Sequence, residues 1–198
     1  MRTLLVIDIQ NDFCPGGALA VPEGDAVVAR ANTLMPQYDL VVATQDWHPA
    51  DHGSFAVSHP GAKPFAMGAL GGMPQVMWPT HCVQGTPGAS FHSALDVALF
   101  DHVTRKGTDR NIDSYSGFFD NGRRKQTDLR GYLTDKGVTE VDIIGLATDY
   151  CVKFTALDAV QLGFKTRVLR EACRGVGIMP GDIDVAIADM QSAGVTIV

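Results

Sequence analysis

Cysteine is scarce in this sequence, and no two cysteines lie close together. The 198 residues include four cysteines at widely separated positions, Cys14, Cys82, Cys151 and Cys173. Because no Cys-x-x-Cys pair occurs, neither a disulfide framework nor a cysteine-based zinc site is indicated. Dispersed thiols are typical of proteins kept in a reducing compartment, so we expect a cytoplasmic protein.

Positive charge and long apolar runs are also lacking. Lysine and arginine together number 16 against 22 acidic residues, which gives a formal net charge of -6 at pH 7. Binding to nucleic acid generally requires a basic face, and no basic block occurs here. No stretch approaches the roughly 18 apolar residues of a membrane span, and the first apolar run is too short for a signal sequence. We therefore expect neither nucleic acid nor a membrane as partner, whereas a homo-oligomer is left open.

What the sequence does contain is an alternation of apolar runs with helical patterns. Its length and its 45% of hydrophobic residues predict one globular domain over residues 1–198. Six short runs are predicted strands, at residues 4–7, 40–46, 102–107, 141–146, 165–170 and 195–198, and the run 102–107 is less apolar, so we expect it towards an edge of the sheet. Helices are predicted over 22–35, 127–136, 151–162 and 180–193, and residues 49–90, which show no clear periodicity, are predicted to form a long structured loop. This alternation predicts an α/β fold, with a Rossmann-like, mostly parallel six-stranded sheet and helices on both faces.

The turn after the first strand does not carry a dinucleotide-binding pattern. Residues 10–17 are rich in turn formers, but the G-x-G-x-x-G spacing is absent and the glycines come too late after the strand. A dehydrogenase that uses a nicotinamide cofactor is therefore disfavoured.

The central feature of the chain is the run 141–146 and the cysteine that follows it. The run is short and branched, as a strand buried on both faces should be, and Cys151 comes at the start of the next helix. Thr148 or Asp149 is expected to cap that helix. The positive end of a helix favours a thiolate, which makes Cys151 a candidate nucleophile. The alternative is a buried, inert thiol.

Reactive side chains also stand at the carboxyl ends of the other predicted strands. They are Asp8, Asp46 with His48, Lys106 and Cys151. The carboxyl ends of parallel strands all lie at the same end of a sheet, where ligands bind in folds of this class. A carboxylate, an ammonium and a thiol gathered there indicate a cysteine hydrolase that cleaves amides.

Asp46 and His48 have the spacing of side chains that point the same way in an extended chain. Their carboxylate and imidazole could share a metal ion, and this mix of ligands suits zinc, iron or manganese. A further histidine is available from the long loop, where His52, His59 and His81 are candidates. The spacing alone does not choose among them.

Five segments of the chain carry a resemblance to a known family. They are residues 6–13, 44–49, 78–83, 106–107 and 145–152, with Asp-Trp-His and Trp-Pro-x-His-Cys as the most specific patterns. With these segments the chain resembles, over nearly its whole length, the nicotinamidases (pyrazinamidases) of the isochorismatase-like cysteine hydrolases. The resemblance implies an isochorismatase-like hydrolase fold over residues 1–198.

The resemblance also implies the catalytic groups. It implies a triad of Asp8, Lys106 and Cys151. It further implies an oxyanion hole formed by the backbone N–H groups of Ala147 and Cys151, with a cis peptide bond between Leu146 and Ala147. The implied reaction is hydrolysis of nicotinamide to nicotinate and ammonia, and of pyrazinamide to pyrazinoate, through a thioester on Cys151.

One divalent metal ion per chain is implied as well. Its ligands would be Asp46, His48 and His81, and His52 would be an additional or an indirect metal group. Zinc is the first choice, with iron or manganese as alternatives, and the ion would orient the pyridine ring.

Two aromatic residues complete the implied site. Phe13 and Trp78 would flank the ring of the substrate, the alternative being that both are ordinary core residues. The remaining histidines, His59, His92 and His102, match no motif.

Two rival functions are compatible with parts of the pattern. One is a metal-free hydrolase of the same superfamily that acts on another amide or on the vinyl ether of isochorismate; the second of these reactions needs no cysteine nucleophile, so Cys151 argues against it. The other is a non-catalytic metal-binding module in which Cys151 is buried and inert. The rate of thiol alkylation separates this second rival from an enzyme.

Overall fold

The computed structural model describes residues 1–198, and its main feature is a six-stranded sheet. The strands of the chain are β1 (Thr3–Ile7), β2 (Leu40–Asp46), β3 (Met67–Leu70), β4 (Met73–Val76), β5 (His102–Lys106), β6 (Glu140–Leu146), β7 (Lys165–Arg174) and β8 (Thr196–Ile197). The large sheet has the order β5-β2-β1-β6-β7-β8, and all of its neighbouring strands are parallel. The predicted α/β architecture is therefore confirmed.

The helices cover both faces of this sheet. They are α1 (Ala26–Leu34), α2 (Leu129–Asp135), α3 (Lys153–Gln161) and α4 (Asp182–Ser192). The buried side chains of α1 pack with Leu4 and Val6 of β1, whereas those of the other three helices pack with Leu5 and Ile7. Successive side chains of a strand point to opposite faces, so each face of β1 supports its own hydrophobic core. None of the four helices is long and apolar enough to cross a membrane.

The positions of β1 and β5 follow their apolar content. All five residues of β1 are buried, because β2 and β6 flank it and helices cover both of its faces. The less apolar strand β5 was predicted to lie towards an edge of the sheet, and it is one of the two edge strands, the other being β8.

The region 49–90, predicted to be a long structured loop, also contains strands that its lack of periodicity did not indicate. It contains an antiparallel hairpin, in which β3 pairs with β4. The two residues that connect the strands, Gly71 and Gly72, have φ angles of 59° and 81°. Positive φ at both positions is the geometry of a tight hairpin turn, which Gly-Gly adopts readily. The Gly-Gly pair could have indicated this hairpin turn from the sequence.

Two element boundaries also differ from prediction. Helix α1 begins at Ala26 rather than at residue 22, because Glu23 has a φ angle of 53°, which is incompatible with a right-handed helix. Strand β7 continues to Arg174, four residues beyond its predicted end, and its pairing with β6 shifts register between Ile143 and Gly145.

The helix expected at Cys151 begins differently as well. A π-helical turn, Thr148–Val152, precedes α3, so Cys151 lies in that turn. Neither Thr148 nor Asp149 caps a helix. The carboxylate of Asp149 instead accepts hydrogen bonds from the backbone N–H groups of Val176 and Gly177, at 2.9 and 2.8 Å. The predicted cap was wrong because this carboxylate holds the loop after β7.

Candidate active site

The sheet brings the predicted catalytic side chains together at the carboxyl ends of its strands. Asp8 follows β1, Asp46 and Lys106 are the last residues of β2 and β5, and Cys151 follows β6. Asp46 and Lys106 are direct partners in the parallel register of those two strands. All four side chains are buried, so their charges interact without much screening by water.

Lys106 is the centre of this group. Its Nζ lies 2.5 Å from Asp46 Oδ1, 2.9 Å from Asp8 Oδ2 and 3.3 Å from Cys151 Sγ. It also donates to the backbone carbonyl of Ser114 at 3.0 Å. The two carboxylates raise the pKa of Lys106 against the opposing effect of burial, so the ammonium stays charged. One cation therefore holds both carboxylates and faces the thiol.

One oxygen of the Asp8 carboxylate accepts a hydrogen bond and the other does not. Oδ1 accepts a hydrogen bond of 2.6 Å from Thr44 Oγ1. Oδ2 forms an ion pair with Lys106, but the angle is not that of a hydrogen bond. Burial raises the pKa of Asp8, and Asp46 adds to this while Lys106 opposes it. Asp8 is therefore a stronger base than an exposed aspartate, with an oxygen available for a proton.

Cys151 is a protonated thiol in this setting. Burial raises its pKa well above the ordinary value, and the nearby ammonium of Lys106 only partly offsets this. The expectation that the helix start would favour a standing thiolate is therefore not met. Acceptor atoms of Asp8, Asp46 and Cys151 all lie within 4.8 Å of one another. The thiol therefore has a base beside it, which it needs in order to act as a nucleophile.

The backbone before Cys151 has an unusual form. The peptide bond between Leu146 and Ala147 is cis, as the resemblance implied. The carbonyl of Ala147 accepts from the N–H groups of Tyr150 and Val152, both at 3.1 Å, while its own N–H engages in none of the hydrogen bonds of the chain. That N–H is available to an acceptor beside Cys151.

Asp46, His48 and His81 converge as metal ligands would. The Nε2 atoms of His48 and His81 lie 3.6 and 4.0 Å from Asp46 Oδ2. The Nδ1 atoms point away, at 2.8 Å from the carbonyls of Gly107 and Pro79 respectively. A carbonyl must accept, so Nδ1 carries a proton in both rings, and Nε2 is the nitrogen that faces the centre, where it would bind a metal ion in its deprotonated form. Two imidazoles and a carboxylate fit zinc, iron or manganese.

The charge of the ligands also suits a cation. Burial and the neighbouring His48 lower the pKa of His81 to about 4, which keeps its imidazole neutral at pH 7. Burial alone would raise the pKa of Asp46, but Lys106 and His48 hold it below the ordinary value, so the carboxylate is charged. Burial opposes a charged imidazole at His48, but Asp46 raises its pKa, so a divalent ion would replace a proton on His48 in balancing the charge of Asp8 and Asp46, which share a single ammonium.

His52 lies next to this cluster. Its ring centroid is 4.4 Å from that of His48, and its Nδ1 lies 2.7 Å from Ser54 Oγ. The Nε2 atom is buried and has no hydrogen-bond partner. One of the two ring nitrogens of His52 lies within 4.8 Å of a ligand atom of His48 and one of Asp113. The other histidines do not join: His59 contacts the carbonyl of Gly53, and His102 contacts Asp128.

A narrow cavity opens beside Cys151 and the three converging ligands. Phe13 and Trp78 line it, as expected, with ring centroids 5.5 and 6.4 Å from that of His81. Four apolar or aromatic wall residues were missed, and these are Leu19, Tyr115, Tyr150 and Val176. Tyr150 could have been found as the neighbour of Cys151, and Tyr115 from the polar, aromatic loop after β5. Nothing local in the sequence points to Leu19 or Val176.

A wider groove lies elsewhere, between α1, β7 and α4. Its arginines are each matched by a carboxylate, as in the pairs Arg30–Glu171 at 2.5 Å and Arg174–Glu23 at 3.5 Å. None of the predicted site residues lines this groove. The narrow cavity at Cys151 is therefore the candidate active site.

Comparison with known proteins agrees with this geometry. The isochorismatase domain family matches residues 2–198. A nicotinamidase of Escherichia coli is 52% identical over 200 residues, which cover 99% of this chain and 93% of that protein. The solved structure of a nicotinamidase/pyrazinamidase from Acinetobacter baumanii has a TM-score of 0.96 at 45% identity, covering 100% of this chain and 95% of that one.

A third relative was solved with a metal ion. It is the pyrazinamidase of Pyrococcus horikoshii in complex with zinc, with a TM-score of 0.80 at 39% identity, covering 100% of this chain and 98% of that one. The matched domain and these identities extend over nearly the whole sequence. This chain belongs to the isochorismatase family.

Proposed function

We propose that this chain is a nicotinamidase, an amidohydrolase that converts nicotinamide to nicotinate and ammonia. The observation that carries the proposal is the placement of the Cys151 thiol beside both Asp8 and Lys106, in the wall of a narrow cavity lined with aromatic side chains. The names of the Escherichia coli and Acinetobacter baumanii relatives give the same activity. Pyrazinamide, a carboxamide on a similar flat ring, is the second substrate that we propose.

In the first half of the reaction, Cys151 Sγ forms a bond to the carboxamide carbon while its proton passes to Asp8 Oδ2. Lys106 stabilises the sulfur as it loses the proton. The carbonyl oxygen becomes an oxyanion, which the backbone N–H groups of Ala147 and Cys151 would receive. Asp8 then returns the proton to the amide nitrogen, the C–N bond breaks, and ammonia leaves.

The second half resolves the thioester. Asp8 takes a proton from a water molecule, whose oxygen bonds to the thioester carbon. The tetrahedral adduct collapses, the C–S bond breaks, and the proton on Asp8 returns to Cys151 Sγ. The new carboxyl group keeps the second proton of the water until it ionises, so nicotinate and a proton are released and the thiol is regenerated.

Asp46, His48 and His81 would hold one divalent ion, and the buried, unpartnered Nε2 of His52 makes that residue an additional or indirect member of the site. Bound there, the ion would supply a Lewis acid for the nitrogen of the pyridine ring and so orient it. The zinc complex of the Pyrococcus horikoshii relative supports zinc as the first choice, with iron or manganese as alternatives. We place the enzyme in the cytoplasm, since Cys151 must stay reduced and all four cysteines are free.

Ammonia release from a panel of amides tests the proposal. Nicotinamide should be hydrolysed much faster than aliphatic amides or carbamoylated amines, because only a flat heteroaromatic ring fills the cavity and meets the metal group. Equal rates across the panel, or a preference for an aliphatic amide, would contradict the assignment. An absence of ammonia together with very slow alkylation of Cys151 would favour the inert binding module instead.

A further inference from the structure

The hairpin β3–β4 has one buried side chain among its eight strand residues, and that side chain is polar. Gln75 of β4 is only 3% exposed, whereas the strand residues around it are exposed or half-buried. A buried amide costs free energy unless its hydrogen bonds are satisfied, so such a glutamine needs partners. Its partners belong to the active site.

The amide nitrogen of Gln75 lies between two elements of the site. Nε2 is 2.9 Å from Asp113 Oδ2 and 2.9 Å from the hydroxyl oxygen of Tyr115. The backbone carbonyl of Val76 is also 2.9 Å away. A carboxylate and a carbonyl can only accept, so the atom facing them must be the NH₂ group and not the amide oxygen. The orientation of the amide is therefore determined by its partners.

Tyr115 connects the Gln75 amide to the wall of the cavity. Its hydroxyl oxygen also accepts from the indole Nε1 of Trp78, at 3.2 Å. The hydroxyl oxygen thus faces donors from both Gln75 and Trp78, and the two hydrogens of the Gln75 NH₂ group are shared among its three acceptors. The rings of Trp78 and Tyr115 lie edge to face, with centroids 6.3 Å apart, and both line the cavity. Gln75 itself does not line the cavity.

Asp113 holds the Gln75 amide at the end of this series of contacts that lies opposite Trp78. Its Oδ1 accepts from the backbone N–H of Ser114 at 2.8 Å, while Oδ2 accepts from Gln75. The side chain is 3% exposed, so it is held within the protein. The resulting series runs from Asp113 through the Gln75 amide and the Tyr115 hydroxyl to the Trp78 indole.

We propose that Gln75 is a positioning residue that sets the width of the ring-binding cavity by fixing Tyr115 and, through it, Trp78. This inference rests on the proposed function, because the cavity is assigned there to the aromatic ring of the substrate. Loss of the amide leaves the Tyr115 hydroxyl with Trp78 alone and the Asp113 carboxylate with the Ser114 N–H alone, so Tyr115 is no longer tied to Asp113 and the wall loses its fixed geometry. The effect falls on ring binding, since neither Tyr115 nor Trp78 contacts Lys106 or Asp8 through a hydrogen bond.

Two substitutions at position 75 separate hydrogen bonding from packing. Gln75→Leu removes the donor, and Gln75→Glu keeps the size and shape but places a second carboxylate against Asp113. Both should raise KM for nicotinamide by about tenfold or more, as expected for the loss of one or two buried hydrogen bonds, and should leave kcat within about threefold. Gln37→Leu, which removes an exposed glutamine amide from the turn after α1, is the matched control and should have the KM of the unaltered enzyme.

The indole N–H resonances give a second readout that does not depend on activity. The chain has two tryptophans, and the Trp78 signal in a ¹⁵N-labelled sample is identified with Trp78→Phe. Gln75→Glu and Tyr115→Phe should both move the Trp78 signal and leave that of Trp47 in place. The effects of Gln75→Leu and Tyr115→Phe on KM should also be far from additive, because both break one series of contacts.

The outcomes are distinct. A Gln75→Glu enzyme with unaltered KM and an unmoved Trp78 signal would overturn the proposal, as would a loss confined to kcat. If Gln75→Leu does not fold, Gln75→Glu and Tyr115→Phe still decide it. If the unaltered protein releases no ammonia from nicotinamide, the proposed function fails, and the Trp78 signal still tests the series of contacts by itself.

Discussion

At the scale of single residues, the chemistry of the site depends on where burial leaves the protons. Burial holds the proton on Cys151 and makes Asp8 more basic, while Lys106 stays charged between them. The sequence identified these three residues because each stands at a strand end. It could not predict the pKa of Cys151, since the depth of burial depends on loops distant in the chain. The same is true of Leu19 and Val176, which reach the cavity only through those loops.

The role of Asp8 as proton carrier predicts a large loss of rate. Asp8→Asn should lower kcat by about 10² to 10⁴-fold, because an amide cannot take the thiol proton or return it to the leaving nitrogen. Asp109→Asn makes the same change at an exposed position and should leave kcat unaltered. Steady-state ammonia release measures both, and a nearly active Asp8→Asn enzyme would remove Asp8 from the proposed mechanism.

Trp78 should act mainly on binding. Trp78→Ala is expected to raise KM more than it lowers kcat, because a wall of the cavity holds the ring equally in the ground state and the transition state. The measurement is a full saturation curve with nicotinamide. An unchanged KM would mean that Trp78 is only a core residue, despite its place in the cavity wall.

At the scale of elements, the strands were more predictable than the turns between them. Short runs rich in apolar and branched residues identified all six strands of the large sheet, and the low apolar content of β5 indicated an edge. The hairpin β3–β4 was missed because its strands are mostly exposed and show no hydrophobic alternation. The π-helical turn at Cys151 depends on tertiary contacts, among them those of Asp149 with the loop after β7.

The junction of β1 and β6 gives a prediction at this scale. Gly145 has a φ angle of 118°, and a Cβ atom there would collide with the backbone of Ile7 on the paired strand. Gly145→Ala should therefore destabilise the fold by several kcal/mol, since it strains the backbone and separates two central strands. Gly131→Ala in α2 meets no neighbouring atom and should stabilise the protein by about 0.5–1 kcal/mol. Urea unfolding compares the two, and equal stabilities would contradict the account of this junction.

At the scale of the whole molecule, the fold creates the site by placing four strand ends side by side. The order β5-β2-β1-β6 places Lys106, Asp46, Asp8 and Cys151 side by side, in that order, at the carboxyl ends of the strands. Alternating strands and helices predicted a parallel sheet, and hence that the carboxyl ends of the strands would lie at the same end of the sheet. The order of the strands was not predictable, because apolar runs do not specify which of them pair.

A metal ion bound between strand ends and the long loop should stabilise the whole molecule. Chelation is expected to lower the thermal midpoint, because an ion at 100 times its Kd contributes about 2.7 kcal/mol, equivalent to roughly 5–11 °C for a protein of this size. Metal analysis should find about one ion per chain, and less in His48→Ala and His81→Ala. The midpoint of His81→Ala should respond little to chelator. Full metal content in both variants would remove the proposed ligands.

The central claim is that Cys151 is the nucleophile, and the ammonia-release rate of Cys151→Ala tests it most directly. The variant is measured with its metal content and nicotinate binding verified, beside Cys173→Ala as a control that removes another buried thiol. The account predicts a Cys151→Ala enzyme that keeps its metal and binds nicotinate but releases ammonia at least about 10³-fold more slowly, while Cys173→Ala keeps most of its activity. Substantial turnover by Cys151→Ala would contradict the thioester mechanism and favour a metal-activated water as the nucleophile.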